Sequence, residues 1–438
     1  MDWRTALDFE VLITTLEKGY RASVRSPAGR AESDFSVPLS GSEVENFFLE
    51  LDRSYGIGGG GLSAVALAKD CGGRLFNALF CDSILVLFRR SVNLAQREGV
   101  PLRIRLQWPD APQLSQLPWE YLYNPATNDF LALSALTPIV RYVPGEAVRP
   151  VRVVPSLRVL GVISSPRDYP SLDTEAEQAQ LERALRESGR GDLLAGGRVV
   201  VEWLTRQEGE SMLVALQRAL RRGDYHVFHF IGHGHFDRRY EQGVLILEDA
   251  DSRGMVVNGE RLGNYLRDET RMARTLRLAV LNACQAGVPS SWGLPGGVAT
   301  ALVQMGIPAV IAMQAEISDE GAIAFAQSFY AAVADGWPVD LALTEGRKGI
   351  YAVSDLEWGK PVLHTCATDG HIFDIAPGLT REEADLQERI ANLYAAGRAA
   401  MSAQSWRQAV ENFEAVLALD PDHREAASYL EVVKKYVQ

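Results

Sequence analysis

Histidine is missing from the first 225 residues, and only seven occur in the 438-residue chain. Imidazole chemistry therefore has no foothold in the N-terminal half. Cysteine is scarcer still: Cys71, Cys81, Cys284 and Cys366 are too few for a disulfide framework and form no C-x-x-C metal pair. A reducing, cytoplasmic setting is expected. Basic residues are in deficit, with 44 Lys and Arg against 56 Asp and Glu and a net charge of −12. Direct nucleic-acid binding is not expected, because it needs a basic face to neutralise phosphates. Long apolar runs are also lacking. Stretches such as Ile84 to Phe88 are far too short for a bilayer, and charges at Asp2, Arg4, Asp8 and Glu10 argue against a signal peptide, so no membrane contact is expected. What remains is 47% hydrophobic and 23% charged, ordinary globular composition with length for about two to three domains.

The chain opens with a hairpin between Phe9 and about Val37, turning at Lys18-Gly19, which predicts a small antiparallel sheet. Helical stretches follow near Ser42 to Leu51 and Arg74 to Arg97, separated by Gly58 to Gly61. Strands are expected at Pro101 to Trp108 and Phe130 to Tyr142, and Leu117 to Tyr123 reads as aromatic core. Pro144, Pro150 and Pro155 mark a connection. Past it the rhythm turns to strand–helix alternation, which specifies a mostly parallel sheet flanked by helices. Six strands are expected: 157–164, 198–204, 225–231, 276–281, 308–314 and 361–366. Intervening helices are expected at 174–187, 211–222, 296–305, 318–335 and 338–353, and a hairpin with a short helix at 244–268. This reading divides the chain into an N-terminal α+β domain (1–150), an α/β domain (151–378) and an all-α tail (381–438). In the tail, Leu393, Ala396, Gly397, Ala400, Ala409, Phe413, Val416 and Pro421 fall at the spacings of a 34-residue tetratricopeptide repeat, which points to a protein partner.

Two strand ends stand out. Tyr225 to Ile231 runs into Gly232-His233-Gly234, and Leu276 to Leu281 into Asn282-Ala283-Cys284. Parallel strands deliver reactive side chains to their carboxyl edge. A thiol becomes a good nucleophile once a neighbouring histidine takes its proton. Cys284 is thus the expected nucleophile and His233 the general base and acid. Gly232 and Gly234 are expected to let the backbone turn sharply, with the amides of Gly234 and Cys284 forming the oxyanion hole. A rival reading treats His229, His233, His235 and Asp237 as metal ligands of a hydrolase. Arg238 directly after Asp237 weighs against it, so no metal or cofactor is expected. A catalytically silent interaction scaffold is the non-enzyme alternative.

The 51-residue step from His233 to Cys284 and the Asn282-Ala283-Cys284 triplet echo the spacing and Gln-Ala-Cys signature of caspases. From about Phe9 to Ile375 the chain resembles bacterial CHAT-domain proteins. The blocks that carry the resemblance are Leu117 to Tyr123, His229 to Gly234, Val280 to Cys284, Ile307 to Gln314 and Trp358 to Leu363. The resemblance implies a caspase–hemoglobinase-like fold, a cysteine endopeptidase acting on a protein substrate, and an N-terminal half that is a degenerate copy of the protease. It also implies a partner-regulated role in bacterial antiviral defence or cell death. Asn282 and Gln314 are expected to line the S1 pocket, which receives the substrate side chain before the cut bond. Asn282 stands where relatives that cut after Arg or Lys carry an aspartate, so a basic preference would need Asp249, Glu316 or Asp319 to reach that pocket. Activity is expected to await ordering of the Gly- and Pro-rich loop Gly287 to Gly297.

Overall fold

Each of the six runs expected as strands in the second half forms one. The computed structural model describes residues 5–53, 62–188, 191–237, 242–267, 275–284, 296–375, 381–421 and 423–436, with Cys284 described in its main chain. In chain order the strands are β1 (Leu7–Thr15), β2 (Tyr20–Ser26), β3 (Gly29–Phe35), β4 (Leu102–Gln107), β5 (Tyr123–Asn124), β6 (Asp129–Phe130), β7 (Ile139–Tyr142), β8 (Val151–Val153) and β9 (Leu157–Ile163). They continue with β10 (Val199–Trp203), β11 (Val227–Asp237), β12 (Gln242–Glu248), β13 (Gly254–Asn258), β14 (Leu278–Cys284), β15 (Ala309–Met313), β16 (Pro361–Thr365) and β17 (Phe373–Ile375).

Among the described residues one thirteen-stranded sheet runs β10-β9-β11-β14-β15-β16-β7-β4-β1-β2-β3, and the hairpin β12–β13 hangs on β11. Strands β10 to β15 along this path are parallel, β16 is antiparallel to β15, and β16, β7, β4 and β1 are again parallel. Residues 1–150 and 151–378 therefore contribute to the same sheet, joined where His364 faces Arg141 and Thr365 faces Tyr142. The opening antiparallel meander forms as expected, but β1 also pairs with β4. The physical reason is burial: Phe9, Val11 and Ile13 of β1 and Leu102, Ile104 and Leu106 of β4 are all inaccessible, so β1 is an interior strand.

Helices cover both faces of the second half. Thr174–Arg186 and Asp319–Ala334 pack against each other on the face that carries Val227, Val280, Ile311 and Met313. Met212–Leu220, Gly259–Leu266 and Gly296–Gln304 cover the opposite face, against Phe228, Phe230, Leu281 and Val310. Three of these helices carry side-chain caps: Asp173 accepts the Ala176 amide, Asn258 that of Arg261 and Ser318 that of Gly321. In the first half a single helix was expected over Arg74 to Arg97. The chain instead breaks after Leu62–Leu79 and restarts as Asp82–Glu98, with Asp82 at a positive φ of 44°. The Gly58–Gly61 run lies outside the described residues. Leu117 to Tyr123 is core as expected, with Trp119, Tyr121 and Leu122 buried.

Contacts divide the chain into a unit Met1–Ile375 and a unit Ala376–Gln438. The second consists of helices Arg381–Ser402, Trp406–Leu419 and Arg424–Lys434 around Ala400, Ala409, Phe413, Val416, Ala426 and Val433. Its last helix covers the apolar face of the preceding pair, as its sequence pattern predicts. No single helix among the described residues is long and apolar enough to cross a membrane.

Candidate active site

The strand order β10-β9-β11-β14-β15 reverses direction between β9 and β11, and such a reversal opens a crevice at the carboxyl ends of the strands. His233 lies on the strand bordering that crevice. In the parallel register of β11 and β14, His233 stands opposite Cys284, following Ile231 opposite Asn282 and His229 opposite Val280. Neighbouring strands lie about 4.8 Å apart, so the two positions are within side-chain reach of one another. Alternation puts positions 229, 231 and 233 on one face with 280, 282 and 284.

The strand does not turn at the glycines. It continues through Gly232 and Gly234 to Asp237, pairing antiparallel with β12, where Gly234 faces Leu245. Neither glycine has a positive φ. Their smallness answers crowding instead. A Cβ on Gly232 would stand 2.7 Å from the Phe230 ring and 3.1 Å from the Ser164 carbonyl oxygen, and one on Gly234 would stand 3.1 Å from the Ala283 Cβ.

His233 is 3% exposed. Its Nε2 lies 2.8 Å from the Pro170 carbonyl oxygen, which can only accept, so Nε2 carries a proton. That leaves Nδ1 of the neutral ring as the basic nitrogen, and it is buried with no hydrogen-bond partner among the described residues. Tyr169 stacks on the ring at 5.6 Å. The segment bearing Tyr169 and Pro170 is held to the β12–β13 turn: Arg167 N donates to Ser252 O at 2.9 Å, Gly254 N to Asp168 Oδ1 at 2.7 Å, and Ser165 N to Glu248 Oε1 at 3.0 Å. Arg206 pairs with the other Glu248 oxygen at 3.0 Å. This loop fixes both the tautomer and the aim of the imidazole.

The proposed metal ligands are separated in use. His229 is buried with Nδ1 2.7 Å from the Tyr330 hydroxyl, and burial pushes its pKa down to about 4. His233 is committed to Pro170, while His235 and Asp237 follow at alternate positions along one strand. Among the described residues no group of three His, Cys, Asp or Glu side chains converges on a metal-sized site.

The CHAT domain family matches residues 70–391. The chain belongs to the CHAT-domain family. That membership puts it in a caspase-like protease family. No curated protein matches this CHAT-domain chain. Among solved structures it is similar to two of the Saccharomyces cerevisiae separase–securin complex, both at a TM-score of 0.43. One shows 12% identity and covers 82% of this chain; the other shows 11% and covers 84%. The CHAT-domain chain spans 30% of the length of the matched chain in each.

Below the paired positions of the CHAT-domain chain, on the same face of the sheet, lies a cavity. Asn282, Ile231, His229 and Met313 form its floor, Glu177, Gln180 and Leu181 one wall, and Ala322, Ile323 and Phe325 another. The Asn282 Oδ1 atom is buried with no hydrogen-bond partner among the described residues. Of the residues expected around S1, Asn282 lines this cavity, and Asp319 lies close enough to Glu177 to raise its pKa. Gln314 lies apart from this cavity. Since Met313 enters the cavity, the next residue turns away, and the Gln314 amide donates to Gly359 O at 2.7 Å and Glu120 Oε2 at 3.3 Å. Glu316 is exposed and absent from the lining, and its carbonyl receives the buried Lys360 ammonium. Asp249 caps its own turn, accepting from the Asp251 and Arg253 amides at 2.8 Å each. Sequence reasoning missed Pro170, Glu177 and Gln180. The first acts through a backbone carbonyl, and the others occupy an ordinary amphipathic helix. The loop Gly287 to Gly297, expected to gate activity, lies outside the described residues except at its last two positions.

Proposed function

We propose that this chain is a cysteine endopeptidase that cuts a protein substrate, with Cys284 as nucleophile and His233 as its base and then as acid to the leaving amine. The observation that carries the reading is the register that sets position 284 opposite an oriented His233 whose Nδ1 has no hydrogen-bond partner among the described residues. In the first step Nδ1 takes the thiol proton and the thiolate adds to the scissile carbonyl. The amides of Gly234 and Cys284 are the donors assigned to the developing oxyanion. The protonated ring then gives its proton to the departing amine, leaving a thioester that water hydrolyses. The tail, a single TPR-like repeat with an added helix, serves as a contact for a protein partner. The family resemblance extends the reading to a regulated protease of bacterial defence or cell death.

The test is an endopeptidase assay on a peptide library covering every residue before the cut bond, with and without proteins encoded beside the gene. Cleavage by the native chain that disappears in Cys284→Ala and survives a chelator supports the reading. Cleavage that persists in Cys284→Ala and disappears with chelator overturns it. A native chain that cuts nothing while Cys284 resists peptide-based thiol probes supports a silent scaffold instead.

A further inference from the structure

The geometry of the cavity under the dyad points to a specific occupant: we propose that it receives a lysine side chain from the residue preceding the cut bond, with Glu177 as counter-charge. This inference rests on the peptidase reading above. Position comes first. Asn282 and Ile231 precede Cys284 and His233 by two residues on their strands, so the cavity floor lies one pleat, about 6–7 Å, below the reacting groups. A side chain attached next to a carbonyl held at Cys284 descends into it.

Shape is the second argument. The walls set Leu181, Ala322, Ile323 and Phe325 beside Glu177 and Gln180, and the free space is about 30 Å³, enough for the compact end of a side chain. Such a space takes the compact ammonium at the end of an unbranched chain whose stem spans the pleat above it. It refuses a ring or a β-branched side chain, and the planar guanidinium of arginine is a poorer fit.

Charge is the third. Glu177 faces the cavity half-buried, with Asp319 and Asp173 nearby, and no cation pairs with Glu177 among the described residues. Burial, and then the charges of Asp319 and Asp173, hold the Glu177 carboxyl above its usual range. An entering cation favours the charged carboxylate and so opposes these effects. Acids in the first turn of a helix also suit its dipole, and that accounts for Asp173 and Asp319. It does not account for Glu177 lining the cavity opposite the unbonded Asn282 Oδ1. An ammonium has three donors and no acceptor, and Glu177, Asn282 and Gln180, which line the cavity, each carry an oxygen acceptor. His229 adds no opposing charge, since its buried ring stays neutral.

The test uses the full chain and four acyloxymethyl ketone peptide probes identical except for P1: lysine, arginine, norleucine and aspartate. Labelling of Cys284 is read by peptide mass spectrometry, with Cys284→Ala as the control. The lysine probe should label at least about tenfold faster than norleucine, the value of one charge-assisted contact, and faster than arginine. Glu177→Gln should lower the lysine-to-norleucine ratio about tenfold, and Asn282→Asp should raise it by a similar factor. The second variant adds a charge, so a gain cannot arise from misfolding. Equal lysine and norleucine rates, or a ratio unmoved by both variants, would overturn the pocket assignment and leave the peptidase intact. Iodoacetamide reaching Cys284 while none of the four probes does would overturn both.

Discussion

At the junction of β7 with β15 and β16, Arg141 donates to both oxygens of Glu120, at 3.0 and 2.7 Å, and to the carbonyls of Ser115 and Leu117. Gln314 completes the cluster, bonding Glu120 and Gly359. At the ends of β11 and β14, on the same sheet, His233 Nδ1 and Asn282 Oδ1 are buried, and among the described residues neither has a hydrogen-bond partner and Glu177 has no cation. The two clusters use similar residues to opposite ends. Leaving a buried polar atom unpaired costs about 1–3 kcal/mol, so a fold ordinarily completes such groups, as the first cluster does. Single unbonded atoms occur elsewhere, His364 Nε2 and Arg347 Nη1 among them. At the β11–β14 ends two such atoms stand one pleat apart on facing strands beside a cavity. The resemblance blocks divide accordingly: Leu117 to Tyr123, Gln314 and Trp358 to Leu363 build the junction, and the histidine and cysteine blocks build the site.

Changes at the two clusters should separate activity from stability. The largest effect is expected from His233→Ala, which should lower turnover by about 10³-fold or more while urea midpoints stay near the native value. The reverse pattern is expected for Glu120→Ala. Stranding the Arg141 guanidinium should cost about 3–5 kcal/mol, read as a fall in the urea midpoint. Replacing both partners with apolar residues should recover much of that loss.

Acid should act on stability through the buried imidazoles. Burial pushes His226 and His229 down to about 4 and His364 to about 3, with Arg158 adding to the effect at His226 and Arg141 at His364. The unfolded chain binds these protons first, near pH 6.5. Stability from these groups is therefore complete above about 6.5 and is lost as pH falls through the window to about 4 or 3, on the order of 3 kcal/mol per histidine. Denaturant melts between pH 7 and 4 should show it, and His229→Gln should flatten the dependence. The smallest effect is expected from Asp168→Ala, which frees the Gly254 amide and loosens the loop holding Pro170 against His233. Turnover should fall about tenfold, the cost of roughly one hydrogen bond to a charged group, with KM little changed.

Much of this was legible before any coordinates. The six strands of the second half announced themselves through apolar runs ending in polar residues, and the His and Cys blocks through chemistry that packing does not require. The β1–β4 pairing was not legible, because residues about 95 apart carry no local sign of their register. The bonding of Gln314 to Glu120 and Gly359 was hidden for a similar reason: a strand end is visible in sequence, but the side of the sheet to which its last residue turns is decided by Met313 and its neighbours. Pro170 contributes a carbonyl oxygen, which every residue has. Glu177 looks like any acid in a first helical turn until the cavity beside it is seen.

The central claim is that His233 acts on Cys284, and it can be tested with no knowledge of substrate or activator. Iodoacetamide alkylation of each cysteine would be followed by peptide mapping as pH is varied, in the native chain and in His233→Ala. Burial pushes Cys71 up to about 12 and also raises Cys366, so both should stay silent near neutral pH. The account predicts that Cys284 of the native chain reacts at pH values well below the ordinary thiol range near 8.5, and that His233→Ala restores the ordinary profile. Identical profiles for Cys284 in the two chains would contradict it.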